Sequence, residues 1–177
     1  MKHKEYKYDK NWTRNEYFEN KAVIGVTLIQ PVPIKNATIH GKQLYGQYNM
    51  DEIHGLNVFL SCATYLSNGN PCVITDTVYS EAPYNVKVFL AEHEIGHLLL
   101  NHVKPNMPPA KWYSSLKRLL PWTAERKYEY EADAHAAKAV GVDKGLETFN
   151  WILNTIQLDL MSRLEIKSRI RSLKKLS

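Results

Sequence analysis

The segment FLAEHEIGHLLLNH, residues 89–102, constrains this chain more than any other stretch. Three histidines and two glutamates sit in a run that is otherwise apolar. From Asn85 to Val103 the pattern is helical. Val88, Ala91, Ile95, Leu98, Leu99 and His102 fall near one side at spacings of three and four, and Phe89, His93, His97 and Leu100 on another. Apolar residues on several sides predict a helix buried deep in a domain. A buried ionisable side chain is costly unless it is paired, hydrogen-bonded or bound to a metal. The rest of the chain must therefore supply partners for this helix, and those partners decide what it can do.

His93-Glu94-Ile95-Gly96-His97 fits H-E-x-x-H. Residues four apart on a helix point the same way, so both imidazoles can reach one metal ion. Neutral imidazole nitrogen is a good zinc ligand. Glu94, one step around, can lie beside a metal-bound water. Zinc lowers the pKa of that water, and the carboxylate can take its proton as it attacks a carbonyl. The bland alternative is two hydrogen-bonded histidines on a core helix, and a third ligand separates the two readings. EYEAD, residues 129–133, places Glu129 and Asp133 four apart in an alanine- and glutamate-rich segment. Glu129 can complete a His-His-Glu site that leaves a fourth position to water. Asp133 can accept the outer N–H of a ligand histidine, which fixes the tautomer. Glu131, with His135 four residues on, is an alternative pair. Glu92 reads as a surface charge.

The chain of 177 residues is long enough for one domain with a real core, and residues 1–177 are taken as a single domain. Residues 1–20 are polar and tyrosine-rich, a short helix or an N-terminal arm. A strand is expected over 21–34, leaving into a turn at its prolines. Residues 42–50 read as extended or as a helix start, and 56–66 as strand or helix. SNGNP (67–71) is a turn, and CVITDTVYS (72–80) reads as a strand. KPNMPPAK (104–111) breaks the helix. Residues 112–122 form a short amphipathic piece. TAERKYEYEADAHAAKAVG (123–141) is strongly helical, with Thr123 placed as N-cap and Gly141 as C-cap. One or two more helices follow from Asp143. The fold class expected is α+β: a small N-terminal β-sheet, a central H-E-x-x-H helix and a mostly helical C-terminal half.

A net charge of +5, from 23 basic and 18 acidic side chains, does not by itself indicate nucleic acid. The basic residues are scattered and no nucleic-acid motif occurs. No apolar run approaches the roughly 20 residues of a membrane span, and the N-terminus has no signal-like apolar region. A cytoplasmic protein is expected, with Cys62 and Cys72 reduced; a disulfide between them is the alternative. Trp112, Trp122 and the leucines between them form an interfacial helix or, as the blander reading, an amphipathic helix covering the core.

These motifs resemble those of the M48 peptidases, the group of CAAX prenyl proteases and HtpX-like heat-shock proteases. FLAEHEIGHLLLNH is similar to their active-site helix, where H-E-x-G-H is followed five residues later by another histidine, here His102. YEYEADAHAAKAVG looks like their second motif, and EIKSRIRSLKKL is similar to their terminal helix. The match covers about residues 72–175. It implies a zincin-like domain in which His93, His97 and Glu129 bind one zinc ion, Glu94 is the base and Asp133 supports a ligand. It also implies that CVITDTVYS is the strand before the helix, whose counterpart in zincins lies at the sheet edge and aligns the substrate. The chain departs from the family in two ways. It lacks membrane spans, like the small soluble minigluzincins. The usual His-Pro before the terminal helix is missing, which leaves Tyr128, Tyr130, His135 and Arg163 as candidates to steady an oxyanion. A metzincin pattern does not fit, because the third histidine comes one residue early and the required glycine is Leu100. His102 is read as a helix-end or core histidine, with a structural role near the site as the alternative.

The expected function is a zinc metallo-endopeptidase acting on peptide or protein substrates, made latent by a terminal segment in one version of this reading. The alternatives are an ImmA/IrrE-like regulatory protease that cleaves a repressor, and a catalytically silent zinc-binding module.

Overall fold

The computed structural model describes residues 31–48, 61–105 and 124–176. Four strands come first, β1 (Val32–Ile39), β2 (Lys42–Tyr48), β3 (Ser61–Tyr65) and β4 (Pro71–Thr75). Five helices follow, α1 (Thr77–Glu81), α2 (Tyr84–Leu99), α3 (Ala124–Val140), α4 (Val142–Thr155) and α5 (Leu160–Leu173). The expected α+β class holds, with the described strands preceding the described helices. The N-terminal arm, most of the 21–34 strand, residues 56–60, the 112–122 piece and Thr123 lie outside the described residues.

The strands form one sheet in the order β1-β2-β4-β3. β1 and β2 are antiparallel, β2 and β4 parallel, and β4 and β3 antiparallel. His40 (φ 49°) and Gly41 (φ 76°) make the turn between β1 and β2. Two successive left-handed residues match the right-handed twist of a hairpin. β1 does not leave into a turn at its prolines as expected. Pro33 sits inside the strand, and the strand is at the sheet edge, where a missing N–H does no harm. The register shifts between Pro33 and Thr38, and Gln43 Nε2 stitches the irregular stretch by donating to the carbonyls of Ile34 and Ala37.

The strand expected over 72–80 ends at Thr75. Asp76 accepts the Tyr79 N–H at 2.8 Å and starts α1 instead. An N-cap carboxylate thus overrides the β-branched Thr77 and Val78. β4 is also an interior strand and not an edge; among the described strands the edges are β1 and β3. The described part of the ambiguous 56–66 segment, Ser61–Tyr65, is strand.

α2 carries apolar residues on several sides because it is enclosed. Ala91, Ile95 and Leu98 pack on Ile39, Leu44 and Val73 of the sheet. Val86, Phe89 and Leu90 pack on Ala136, Phe149 and Leu173 of the other helices. The helix stops at Leu99, short of the expected Val103. Asn101 (φ 59°) takes the left-handed position, with its N–H on Leu98 O at 3.3 Å and the His102 N–H on His97 O at 2.9 Å. This pair of bonds is a Schellman motif, and it turns the chain back over the last turn. Gly96 lets α3 come close: a Cβ there would lie 3.2 Å from Ala132 Cα and from His135 Cβ. Gly141 (φ 104°) separates α3 from α4, as its place after the alanine-rich run predicts.

Candidate metal centre

His93 and His97 lie on the enclosed part of α2 with their Nε2 atoms 3.1 Å apart. Glu129 of α3 faces both, with Oε2 3.4 Å from His93 and Oε1 3.6 Å from His97. All three residues are buried. Among the described residues this is the cluster whose ligand atoms converge tightly enough to hold a metal ion. Ligands about 2.0–2.1 Å from a tetrahedral zinc stand roughly 3.3 Å from one another, so the observed spacings suit such an ion. Imidazole, imidazole and carboxylate are also the donor set of hydrolytic zinc sites.

Each group is held from behind. His93 Nδ1 lies 2.9 Å from Asp133 Oδ1, the arrangement expected from the spacing in EYEAD. Glu94 turns one oxygen away: Ser61 of β3 donates its hydroxyl to Oε1 at 2.9 Å. The other oxygen, Oε2, is buried without a hydrogen-bond partner. A buried orphan carboxylate oxygen beside a His-His-Glu triangle is what a base facing a metal-bound water requires.

Arg169 of α5 enters the site, although sequence reasoning did not single it out. Its Nη1 lies 2.9 Å from Glu129 Oε2, and its Nε and Nη2 bind the two oxygens of Asp133. The guanidinium also lies over the Phe149 ring, 4.6 Å from its centroid. Two buried carboxylates need a counter-charge. The Arg-Ile pair inside EIKSRIRSLKKL was the available signal, since it sits on the helix that must pack against α3.

These contacts set the charges. Burial works against ionising Glu129 and Asp133, but the Arg169 charge and the histidine contacts outweigh it and hold both well into the carboxylate range. Burial and the facing His93 depress His97 to about 3, which leaves it neutral and able to coordinate. Burial also opposes charge on His93, but hydrogen bonds to Asp133 and Glu129 lift it to about 9. A metal ion at Nε2 would replace that proton. Burial raises the Glu94 carboxyl, opposed by His93 and by hydrogen bonds from Ser61 and the Ala63 backbone.

The other candidates go elsewhere. Glu92 is not a surface charge but 1% exposed, with Oε2 3.4 Å from His135 Nε2. The reason is the enclosure of α2 by sheet and helices, which leaves it no wet face at that point. Glu131 and His135 do not form a ligand pair: His135 faces Glu92, while Glu131 reaches His102 and Lys127. Tyr130 is held by Arg126 and Ser168, Tyr128 stacks on His102, and Arg163 is exposed. Cys62 and Cys72 are free thiols on adjacent strands, and burial pushes both up in pKa. No helix among the described residues is long and apolar enough to cross a membrane.

No protein-family model, curated protein or solved structure matches this chain.

Proposed function

We propose that the chain is a zinc-dependent metallo-endopeptidase of the M48 type, with a zincin-like arrangement of edge strand, active-site helix and ligand helix. The observation that carries this reading is the unpartnered, buried Glu94 Oε2 beside the His93, His97 and Glu129 triangle. A zinc ion held by those three residues supplies Lewis acidity towards water and a carbonyl oxygen.

The chain's own residues do the rest. Glu94 Oε2 takes a proton from the attacking water while Ser61 keeps Oε1 in place. Burial raises the proton affinity of Glu94, which suits a group that must be protonated briefly and then give the proton to the leaving amine. Asp133 holds His93 in one tautomer, and Arg169 keeps Glu129 ionised. β3 is an edge of the described sheet and carries Ser61, so an extended peptide added along it would pass Glu94.

The silent zinc-binding module is favoured by one observation. The α5 residue that reaches the site is Arg169, and it is engaged with Glu129 and Asp133. Replacing Glu94 by glutamine separates the two. A protease keeps its zinc and loses casein cleavage by several orders of magnitude. A zinc-loaded wild type with no cleavage of casein, or of a repressor-type substrate, leaves the silent module. A wild type that binds no zinc removes both.

A further inference from the structure

His102 lies beyond the end of α2, yet its ring comes back to the site. Its Nδ1 is 3.2 Å from His97 Nδ1, and its Nε2 is 3.1 Å from Glu131 Oε2. Three constraints hold it there. The Schellman motif fixes its backbone through the N–H bond to His97 O at 2.9 Å. Tyr128 stacks on its ring with centroids 4.3 Å apart and planes 16° apart. Glu131 fixes the far nitrogen.

The proton positions along this chain of groups follow from its ends. His97 turns Nε2 towards His93 and Glu129, so that nitrogen must keep its lone pair free for a metal. The His97 proton then sits on Nδ1 and can only be donated to His102. His102 must accept at Nδ1, so its own proton is on Nε2, where the Glu131 carboxylate accepts it. Each of the three groups has one arrangement compatible with its neighbours.

We propose that His102 and Glu131 form a relay that fixes the tautomer and orientation of His97 as a metal ligand. His93 receives its carboxylate directly from Asp133; His97 receives one through His102. This rests on the metal-centre reading above. It gives Glu131 a role outside the ligand set and makes His102 a positioning residue.

The test is zinc affinity of the full chain by competition with a chromophoric chelator, together with imidazole nitrogen–proton correlation spectra of the zinc-loaded protein. His102→Leu should weaken zinc binding about 10- to 100-fold, the usual effect of losing an outer partner of a ligand histidine. His102→Asn, whose Oδ1 can take the place of Nδ1 as acceptor, should recover most of that loss. In the wild type, His102 should carry its proton on Nε2 alone and His97 on Nδ1. Equal zinc affinity in wild type and His102→Leu overturns the relay, and so does a proton on His102 Nδ1. The wild-type spectrum decides even if the leucine variant does not fold. A wild type that binds no zinc overturns the metal centre and the relay with it. Tight zinc binding that survives His102→Leu overturns the relay alone.

Discussion

Ser61 donates its hydroxyl to Glu94 Oε1 over 2.9 Å, tying edge strand β3 to the middle of α2. This bond leaves Glu94 a single oxygen for chemistry and fixes where it points. On the proposed peptidase reading, Ser61→Ala should therefore lower kcat by about tenfold, on the order of 1.4 kcal/mol in the barrier, with zinc affinity unchanged. The bond also lowers the Glu94 pKa against the effect of burial. Its loss should move the acid limb of the kcat/KM profile to higher pH, and Ser61→Thr should restore the wild-type profile. A parallel fall in zinc content would assign Ser61 to folding instead.

Arg169 neutralises two buried carboxylates at once. Arg169→Met leaves Glu129 and Asp133 with the His93 imidazolium as their remaining counter-charge in metal-free protein, and removing one partner of a buried pair costs about 3–5 kcal/mol. Urea unfolding of metal-free protein should show a loss of that size. Added zinc should recover part of it, because a cation returns to Glu129. Arg169→Lys should rescue poorly, since an ammonium cannot bind Asp133 in the two-pronged way and reach Glu129 as well.

His93 and His97 give metal-free protein an optimum in pH. His97 is depressed from 6.5 to about 3, so its contribution is complete above 6.5 and is lost as pH falls towards 3. His93 is raised from 6.5 to about 9, so its contribution is complete below 6.5 and is lost as pH rises through 9. Unfolding free energies of chelator-treated protein should peak between these limits. Zinc takes the place of the His93 proton, so zinc uptake at pH 7–8 should release a proton, measurable in weakly buffered solution, and the alkaline fall should vanish.

Asp76 caps α1 but is held up to about 6 by burial, against the pull of its backbone hydrogen bonds. Its folded pKa lies above the ordinary 3.8, so stability falls as pH rises between the two. Asp76→Asn keeps a good N-cap and removes the charge. The variant should melt higher than wild type at pH 7, and the difference should disappear by pH 3. A lower melting temperature at pH 7 would mean that the ionised cap is worth more than its burial costs.

The parts of this protein that depend on helical period are readable from its residues alone. Two residues four apart on one helix share a direction whatever surrounds them, so His93 with His97 and Glu129 with Asp133 were legible as pairs. Gly141 was legible as a break for the same local reason. The rest depends on how distant elements dock. Glu92 lost its water because α2 lies between the sheet and the helices. Glu94 is oriented by Ser61 from a strand whose place at the sheet edge no local pattern records. Arg169 and His102 reach the histidines from a separate helix and from a reversed chain end. Distances between such groups are set by packing and not by separation along the chain, and it is packing that brings five kinds of side chain to one buried point.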